Sequence, residues 1–236
     1  MRRTRIRLAI LFLLAACATT ITIPENEYGL EVVDSLELYE RIVEAEPSHR
    51  LVDLRTVLDR AKFDIRYATD DNFMERILYP VAGAWLRAPA AEALARVEED
   101  LAEEGVGLKI FDGYRPYSVT EMMWEPYQDP NYVADPAKGS RHNRGAAVDL
   151  TLVDLATGEE LEMPTGYDDF SPRAHHDFDD LPDHVLEHRE LLRATAERHG
   201  FEALPSEWWH YDFRGWEEFA LMDIGLDELA EAEGAR

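Results

Sequence analysis

The stretch Ser140-Arg141-His142-Asn143-Arg144-Gly145-Ala146-Ala147-Val148-Asp149 leads from a polar turn into a strand predicted over residues 146–153. His142 lies in the turn, and Asp149 follows seven residues later on the strand. The small residues between them allow the backbone to pack closely beside a metal ion or a substrate. The stretch therefore predicts a sheet strand that carries part of a metal site.

A second stretch, Glu207-Trp208-Trp209-His210, supplies another carboxylate and another imidazole. His210 falls on a strand predicted near residues 208–213, and Glu207 precedes it by three residues. Two imidazoles, one carboxylate and a position for water make a catalytic zinc site, and a nearby carboxylate can act as general base. The two stretches predict that His142, Asp149 and His210 bind one zinc ion per chain and that Glu207 is the base.

Spacing alone leaves other interpretations open. Scattered histidines and aspartates are often surface groups or hydrogen-bonded core residues, and the pair Trp208-Trp209 is compatible with plain core packing. A set of two imidazoles and one carboxylate also accepts divalent ions other than zinc.

Arg115 lies in the segment Asp112-Gly113-Tyr114-Arg115-Pro116, where a strand predicted over residues 106–111 ends in a tight turn. A guanidinium in this position can donate two N–H bonds to a carbonyl oxygen that becomes negative during hydrolysis. Arg115 is therefore a candidate catalytic residue, and a purely structural ion pair is the alternative.

The remaining pattern mixes helices and strands. Predicted helices cover residues 35–46, 90–104 and about 185–199, followed by an acidic C-terminal helix, and a further strand is predicted over residues 63–67. No regular βαβ repeat is present. The order favours a single α+β domain with a central antiparallel sheet flanked by helices.

The chain is strongly acidic, with 24 Lys and Arg against 49 Asp and Glu and a formal net charge of -25. Nucleic-acid binding requires a basic surface, so nucleic acid is excluded as the expected partner. The carboxylates are spread over many segments, which favours a solvated surface suited to solubility or to a salty exterior.

The N-terminal residues have the pattern of an export signal. Four arginines precede a short apolar run at residues 8–14, and Cys17 follows Leu14-Ala15-Ala16 directly. This pattern predicts a lipoprotein signal peptide at residues 1–16, a lipidated Cys17 with a tether over residues 17–33, and an enzyme domain over residues 34–236. An ordinary signal peptide is the alternative.

The expected location is the periplasmic side of a bacterial membrane, with the protein held there by its lipid anchor. Ala18, rather than Asp, follows Cys17, which favours the outer membrane. A single cysteine also excludes an internal disulfide.

The pattern Ser140-x-His142-x-x-Gly145-x-Ala147-x-Asp149 resembles the zinc signature of the M15 class of D,D-peptidases. Further segments resemble its D-alanyl-D-alanine dipeptidase branch, the VanX type, over about residues 53–212. These segments are Tyr67-Ala68-Thr69-Asp70-Asp71-Asn72-Phe73, Asp112-Gly113-Tyr114-Arg115-Pro116, His175-His176 and Glu207-Trp208-Trp209-His210-Tyr211. The chain departs from the family after Phe73, where Met74-Glu75-Arg76 replaces a frequent Thr-Gly pair.

The resemblance implies a small α+β fold with an antiparallel sheet and a role for each matched residue. It implies that His142, Asp149 and His210 are the zinc ligands, that Glu207 is the catalytic base, and that Arg115 stabilises the tetrahedral intermediate. It further implies that Asp169 pairs with the substrate ammonium, with Tyr67 nearby and Ser140 helping to hold the substrate. Asp168, directly before Asp169, is the alternative ammonium partner.

The expected reaction is zinc-dependent hydrolysis of the dipeptide D-Ala-D-Ala to two D-alanines, in peptidoglycan turnover or scavenging. One alternative is a zinc D,D-carboxypeptidase or endopeptidase acting on peptidoglycan stem peptides. The other is a non-catalytic, zinc-containing wall-binding module. The sequence does not predict an oligomeric state.

Overall fold

The computed structural model describes residues 21–130 and 132–234. The predicted signal peptide and Cys17 lie outside the described residues. Five α-helices are present in the described ranges: α1 Leu36–Ala45, α2 Ala88–Glu103, α3 Tyr117–Tyr127, α4 Asp183–Arg198 and α5 Leu226–Gly234. None of them combines the length and the apolar character that a membrane span requires.

Nine β-strands accompany these helices within the same ranges. They are β1 Val32–Val33, β2 Leu51–Asp53, β3 Lys62–Phe63, β4 Trp85–Arg87, β5 Val106–Asp112, β6 Ala147–Asp154, β7 Phe201–Ala203, β8 His210–Phe213 and β9 Leu221–Met222. The central sheet has the order β3-β5-β6-β8-β7, and β1-β9 and β2-β4 form two small separate pairs.

The α+β class and the central sheet flanked by helices are confirmed. Every neighbouring pair in the central sheet is antiparallel except β3 and β5, which run parallel at one edge. Strand β6 lies in the middle of this sheet, and seven of its eight residues are buried. A strand covered on both faces is expected to be a nearly continuous apolar run, as Leu150, Leu152 and Val153 make it.

The register of the central sheet positions the site. Asp149 on β6 is the Cα partner of both Asp112 on β5 and His210 on β8. The β5–β6 register shifts between Ile110 and Asp112, so a bulge lies next to this row. Three polar residues therefore lie side by side across three adjacent strands.

Helices α2 and α4 cover the sheet. Helix α2 contacts β4 and β5, and its buried side includes the small residues Ala90, Ala91 and Ala93. Small side chains on this side allow the helix axis to come close to the sheet. Helix α4 contacts β7 and β6 and also contacts α2.

Three local predictions differ from the structure. The strand predicted over residues 63–67 is limited to β3, because a 3-10 turn at Arg66–Ala68 takes Tyr67 away from the sheet and into the core. Helix α3 was not predicted, since Pro126 lies inside it and Pro116 directly precedes it. The predicted helix at about residues 185–199 begins two residues earlier, at Asp183.

The predicted boundary at residue 33 between tether and domain stays a prediction, and the described part of the tether segment contacts the domain. Val32 and Val33 form β1, which pairs in parallel with Leu221 and Met222 of β9. Ile21 and Ile23 are partly buried against the main core. Burial of these apolar side chains attaches the segment to the domain from Ile21 onward.

Candidate active site

The three predicted metal ligands converge at the end of the central sheet. The Nδ1 atom of His210 lies 3.0 Å from Oδ1 of Asp149, and Nε2 of His142 lies 3.4 Å from the same oxygen. The two ring nitrogens are 3.1 Å apart. All three residues are buried, and within the described residues they form the one group of three or more potential ligands whose ligand atoms all lie within 4.8 Å of one another.

The other nitrogen of each imidazole is held by an acceptor on the far side of its ring. Nδ1 of His142 donates to the carbonyl oxygen of Gly113 at 2.7 Å, and Nε2 of His210 donates to Oδ1 of Asp212 at 2.9 Å. In the neutral rings these bonds leave a lone pair on each nitrogen that faces Asp149. Metal-binding histidines are oriented in this way, so the donor set fits zinc.

The backbone turn that presents His142 is fixed by its neighbours. A 3-10 turn at His142–Arg144 ends at Gly145, which has a φ of +67°. A Cβ atom at Gly145 would lie 2.6 Å from Cδ2 of Leu51, so only glycine fits here. The buried amide of Asn143 donates to the carbonyl oxygen of Arg115 and to the hydroxyl of Thr120.

Asp149 is held by two further groups besides the imidazoles. The hydroxyl of Tyr167 donates to its Oδ2 at 2.9 Å, and Nη2 of Arg115 lies 4.0 Å from the same oxygen. Burial opposes ionisation of Asp149, but His142 and His210 outweigh it and hold the pKa of this carboxyl below its ordinary value. The side chain is thus a carboxylate, the form that binds metal.

Glu207 lies beside the ligand cluster, with Oε2 4.0 Å from Nδ1 of His210. Burial raises the pKa of Glu207, and the negative charge of Asp149 raises it further. A carboxylate whose pKa is raised is a stronger proton acceptor, as a general base should be.

A cavity of about 520 Å³ opens in front of the cluster. Its wall includes the predicted residues Tyr67, Arg115, His142, Asp149, Glu207 and His210. Four aromatic side chains to which the sequence assigned no role in binding also line it: Phe73, Tyr132, Phe170 and Trp209. A second cavity of about 560 Å³ lies beside α1 and β9, and none of the predicted site residues lines it.

Arg115 enters this cavity as part of a buried network. Its Nε and Nη2 atoms both donate to Oδ2 of Asp112, at 3.1 and 2.8 Å, and its guanidinium lies over the ring of Tyr67. Tyr79 donates to the other oxygen of Asp112 at 2.8 Å. Burial favours the neutral form of Arg115, but Asp112 outweighs it and raises the pKa of the guanidinium. Arg115 therefore remains a cation.

Asp168, and not Asp169, faces the cavity. Asp168 accepts hydrogen bonds from the hydroxyl of Tyr67 at 3.1 and 3.2 Å. Asp169 is exposed and accepts from the backbone N–H of Ser171. Asp169 as the ammonium partner stays a prediction, and the position of Asp168 in the cavity wall favours the alternative. The backbone of Asp168 has a φ of +60°, in the left-handed region.

Burial raises the pKa of Asp168, and the negative charge of Asp149 raises it further. A cation beside such a carboxylate stabilises its ionised form. Asp168 thus has the position and the electrostatics of a binding group for a positive charge.

Ser140 has a different place from the one predicted. Its hydroxyl accepts a hydrogen bond from the backbone N–H of His142 at 3.2 Å, and its own N–H donates to Asn143. Ser140 is buried and does not belong to the cavity wall. Its position supports the turn that carries His142, and the expected contact with substrate is not supported.

The sequence interpretation missed three residues that support the site, Asp112, Tyr167 and Asp212. Asp212 was detectable, because alternate residues of a strand share a face and it follows His210 by two positions. Tyr167 comes directly before Asp168, but its contact with Asp149 depends on the path of a loop and has no signal in the sequence.

A model of the peptidase M15 family, described as D-ala-D-ala dipeptidase, matches residues 47–220. The chain belongs to this family. A D-alanyl-D-alanine dipeptidase of Escherichia coli (strain K12) is 36% identical over 162 residues, which cover 69% of this chain and 83% of the relative. A D-alanyl-D-alanine dipeptidase of Enterococcus faecium is 33% identical over 184 residues, 68% of this chain and 90% of the relative.

Solved structures of peptidases were also found. The LdcB LD-carboxypeptidase is 20% identical with a TM-score of 0.42, covering 84% of this chain and 86% of that chain. The D,D-dipeptidase VanXYg, solved with a D-Ala-D-Ala phosphinate analogue, is 16% identical with a TM-score of 0.35. The match covers 66% of this chain and 57% of the VanXYg chain.

Proposed function

We propose that the protein is a zinc-dependent dipeptidase that hydrolyses D-Ala-D-Ala to two D-alanines. The observation that carries this proposal is the convergence of a metal-ligand set, a partly buried carboxylate base and a separate carboxylate for a cation in one cavity. The names of the curated M15 relatives support the choice of substrate.

His142, Asp149 and His210 would hold one zinc ion per chain. Their far-side hydrogen bonds orient the two imidazoles with their other ring nitrogens toward Asp149. When bound, zinc supplies a Lewis acid that activates water and polarises the scissile carbonyl.

Glu207 acts as the general base and then as the general acid. Its raised pKa suits it to take a proton from the attacking water. The same carboxyl then returns this proton to the amine that leaves. Its Oε2 atom lies 4.0 Å from Nδ1 of His210, next to the proposed metal ligands.

Arg115 and Asp168 bind opposite charges on the substrate. Arg115, fixed by Asp112, donates N–H bonds to the carbonyl oxygen as it becomes negative. Asp168, held by Tyr67, pairs with the free ammonium of the dipeptide. A buried carboxylate at this point selects a substrate with a free amino end, because a longer peptide would leave that charge unpaired.

The proposed location is the periplasmic side of the outer membrane, with Cys17 as the lipidated residue. Its support is the apolar run and the Leu14-Ala15-Ala16-Cys17 pattern of the sequence. An exported enzyme would meet D-Ala-D-Ala released during wall turnover. Labelling with radioactive palmitate tests this, since the wild-type protein should incorporate label and Cys17→Ser should not. Equal labelling of both proteins contradicts the anchor.

The activity is tested with purified full-length protein and two substrates, D-Ala-D-Ala and a stem pentapeptide that ends in D-Ala-D-Ala. We expect rapid release of D-alanine from the dipeptide alone. A chelator should abolish the reaction, one equivalent of zinc should restore it, and Glu207→Gln serves as the inactive control.

Comparable rates on both substrates would replace this proposal by a carboxypeptidase that acts on stem peptides. Zinc binding without hydrolysis of either substrate would indicate a wall-binding module instead.

A further inference from the structure

Two histidines lie one turn apart at the beginning of α4, away from the catalytic cavity. His184 and His188 are separated by four residues, so both side chains lie on the same face of the helix. Their ring centroids are 5.8 Å apart. Neither residue lines the cavity that contains Glu207.

One residue orients both rings. Nε2 of His184 lies 2.8 Å from Oε2 of Glu162, and Nδ1 of His188 lies 2.9 Å from the main-chain oxygen of Glu162. Oxygen atoms of a carboxylate and a carbonyl accept hydrogen bonds, so these two ring nitrogens carry the protons. Neutral imidazole has one proton, which leaves lone pairs on Nδ1 of His184 and Nε2 of His188.

This arrangement repeats the organisation of a metal-binding histidine. At such sites the nitrogen that does not bind the ion donates to an oxygen acceptor, which sets the tautomer and makes the ligand more basic. Here a single glutamate does this for two imidazoles, one through its side chain and one through its backbone. Two histidines at positions i and i+4 of a helix can bind one ion together.

The space and the charge around the pair also favour a cation. The side chains of His184 and Glu162 are 52% and 65% exposed, so they can move together, with their hydrogen bond kept, and bring the free nitrogen of His184 to about 3 Å from that of His188, as a shared ion requires. Glu162 contacts His184, Asp183 and Glu187 adjoin the two histidines in sequence, and the chain carries a net charge of -25.

We propose that His184 and His188 form a second metal site, which binds a divalent transition-metal ion such as Cu²⁺, Ni²⁺ or Zn²⁺. Imidazole ligands suit these ions, and affinity should follow the order in which Cu²⁺ exceeds Ni²⁺ and Zn²⁺. Water completes the coordination. The site is independent of the catalytic centre and of the reaction proposed for it.

The ion would also fix one end of the loop that carries the substrate carboxylate. Glu162 precedes Tyr167 and Asp168 in the same connection between β6 and α4. An ion on His184 and His188 strengthens their donation to Glu162 and holds this connection against α4. Backbone amides of residues 161–166 should therefore exchange their hydrogens more slowly when the second ion is bound.

The test uses full-length protein whose catalytic centre has first been filled with zinc. Cu²⁺ is then added, and bound copper and retained zinc are measured together with the electron paramagnetic resonance spectrum. We expect one equivalent of copper bound through two nitrogens, with the zinc retained. The double variant His184→Ala/His188→Ala should lose this equivalent, and either single variant should weaken it at least tenfold.

His199→Ala is the matched control. His199 also donates to a carboxylate, Asp100, at 2.8 Å and lies at the end of the same helix, but it has no second imidazole one turn away on α4. This variant should keep the copper equivalent. The proposal is overturned if copper binding survives in the double variant, if the spectrum reports fewer than two nitrogens, or if copper enters only as zinc leaves.

Discussion

Asp149 and His210 are Cα partners on adjacent antiparallel strands, and their side chains meet at 3.0 Å. The backbone pairing of β6 and β8 therefore fixes the separation of two ligands before any metal binds. Sites built on strands hold their geometry more accurately than sites built on loops. His142, which a short turn presents, depends instead on Gly145 and Asn143 for its position.

Glu207→Gln should remove hydrolysis while it leaves metal binding intact. Glutamine keeps the size and the hydrogen-bonding ability of the side chain but cannot take a proton from water. We expect kcat to fall by roughly 10²- to 10⁴-fold, the usual contribution of a general base. Steady-state kinetics on D-Ala-D-Ala and metal analysis of the same sample measure both effects. Full activity in the variant would remove Glu207 from the mechanism.

Asp168→Asn and Asp169→Asn are a matched pair of substitutions at adjacent carboxylates. Asp168→Asn removes the charge proposed to bind the ammonium, so kcat/KM should fall about 10- to 150-fold, the value of a charged hydrogen bond. Asp169→Asn should leave kcat/KM within about twofold, because its carboxylate is exposed and bonds to Ser171. The reverse order of effects would return the ammonium role to Asp169.

Asp212→Asn should weaken metal binding, although Asp212 is not one of the proposed ligands and acts only through His210. The substitution removes the negative charge that accepts from Nε2 of His210, and loss of such an acceptor typically costs about 10- to 100-fold in metal affinity. Glu202→Gln is the control, because Glu202 is exposed and pairs with Asp212 in the β7–β8 register. Competition with a zinc chelator of known affinity measures both variants, and equal affinities would contradict the role of Asp212.

His176 should make the folded protein sensitive to mild acid. Burial, with the nearby Arg189 and Arg193, lowers the pKa of His176 to about 4. The unfolded chain takes up this proton near pH 6.5, whereas the folded chain does so only near pH 4. The contribution of neutral His176 to the free energy of unfolding is fully present above pH 6.5. It is lost as the pH drops from 6.5 to 4, by at most about 3 kcal/mol.

The variant His176→Gln should lose this part of the pH dependence. Denaturant unfolding of metal-free protein between pH 4 and pH 7 measures it for both proteins. The backbone N–H of His176 bonds to Pro205, in the segment just before Glu207, so glutamine keeps that contact. Parallel stability curves for wild type and variant would show that His176 is not responsible.

The chemistry of the site could be predicted from the sequence better than its geometry. The positions of His142, Asp149, His210 and Glu207 follow from two short motifs, and the structure brings all four to one cavity. The choice between Asp168 and Asp169 could not be made in advance. The choice depends on which carboxylate the loop places in the cavity wall. Asp168 there has a positive φ, which aspartate tolerates but no sequence pattern requires.

The fold was predictable to a similar degree. Long periodic segments such as α2 and β6 were recognised, because their apolar spacing is a local property of the chain. Short strands such as β1, β2 and β9 are stabilised by partners distant in sequence, so their two or three residues carry little local signal. Ser140 illustrates the same limit, since its hydroxyl bonds within its own turn.

The docking of Ile21 onto the domain has a consequence for the distance at which the enzyme works. Only three residues separate Cys17 from Ile21, and four peptide steps span at most about 14 Å when fully extended. With an acyl anchor on Cys17, the catalytic domain would lie close to the lipid headgroups. Such an enzyme would act on small peptides that diffuse to the bilayer, and peptidoglycan strands farther from the membrane would be out of its reach.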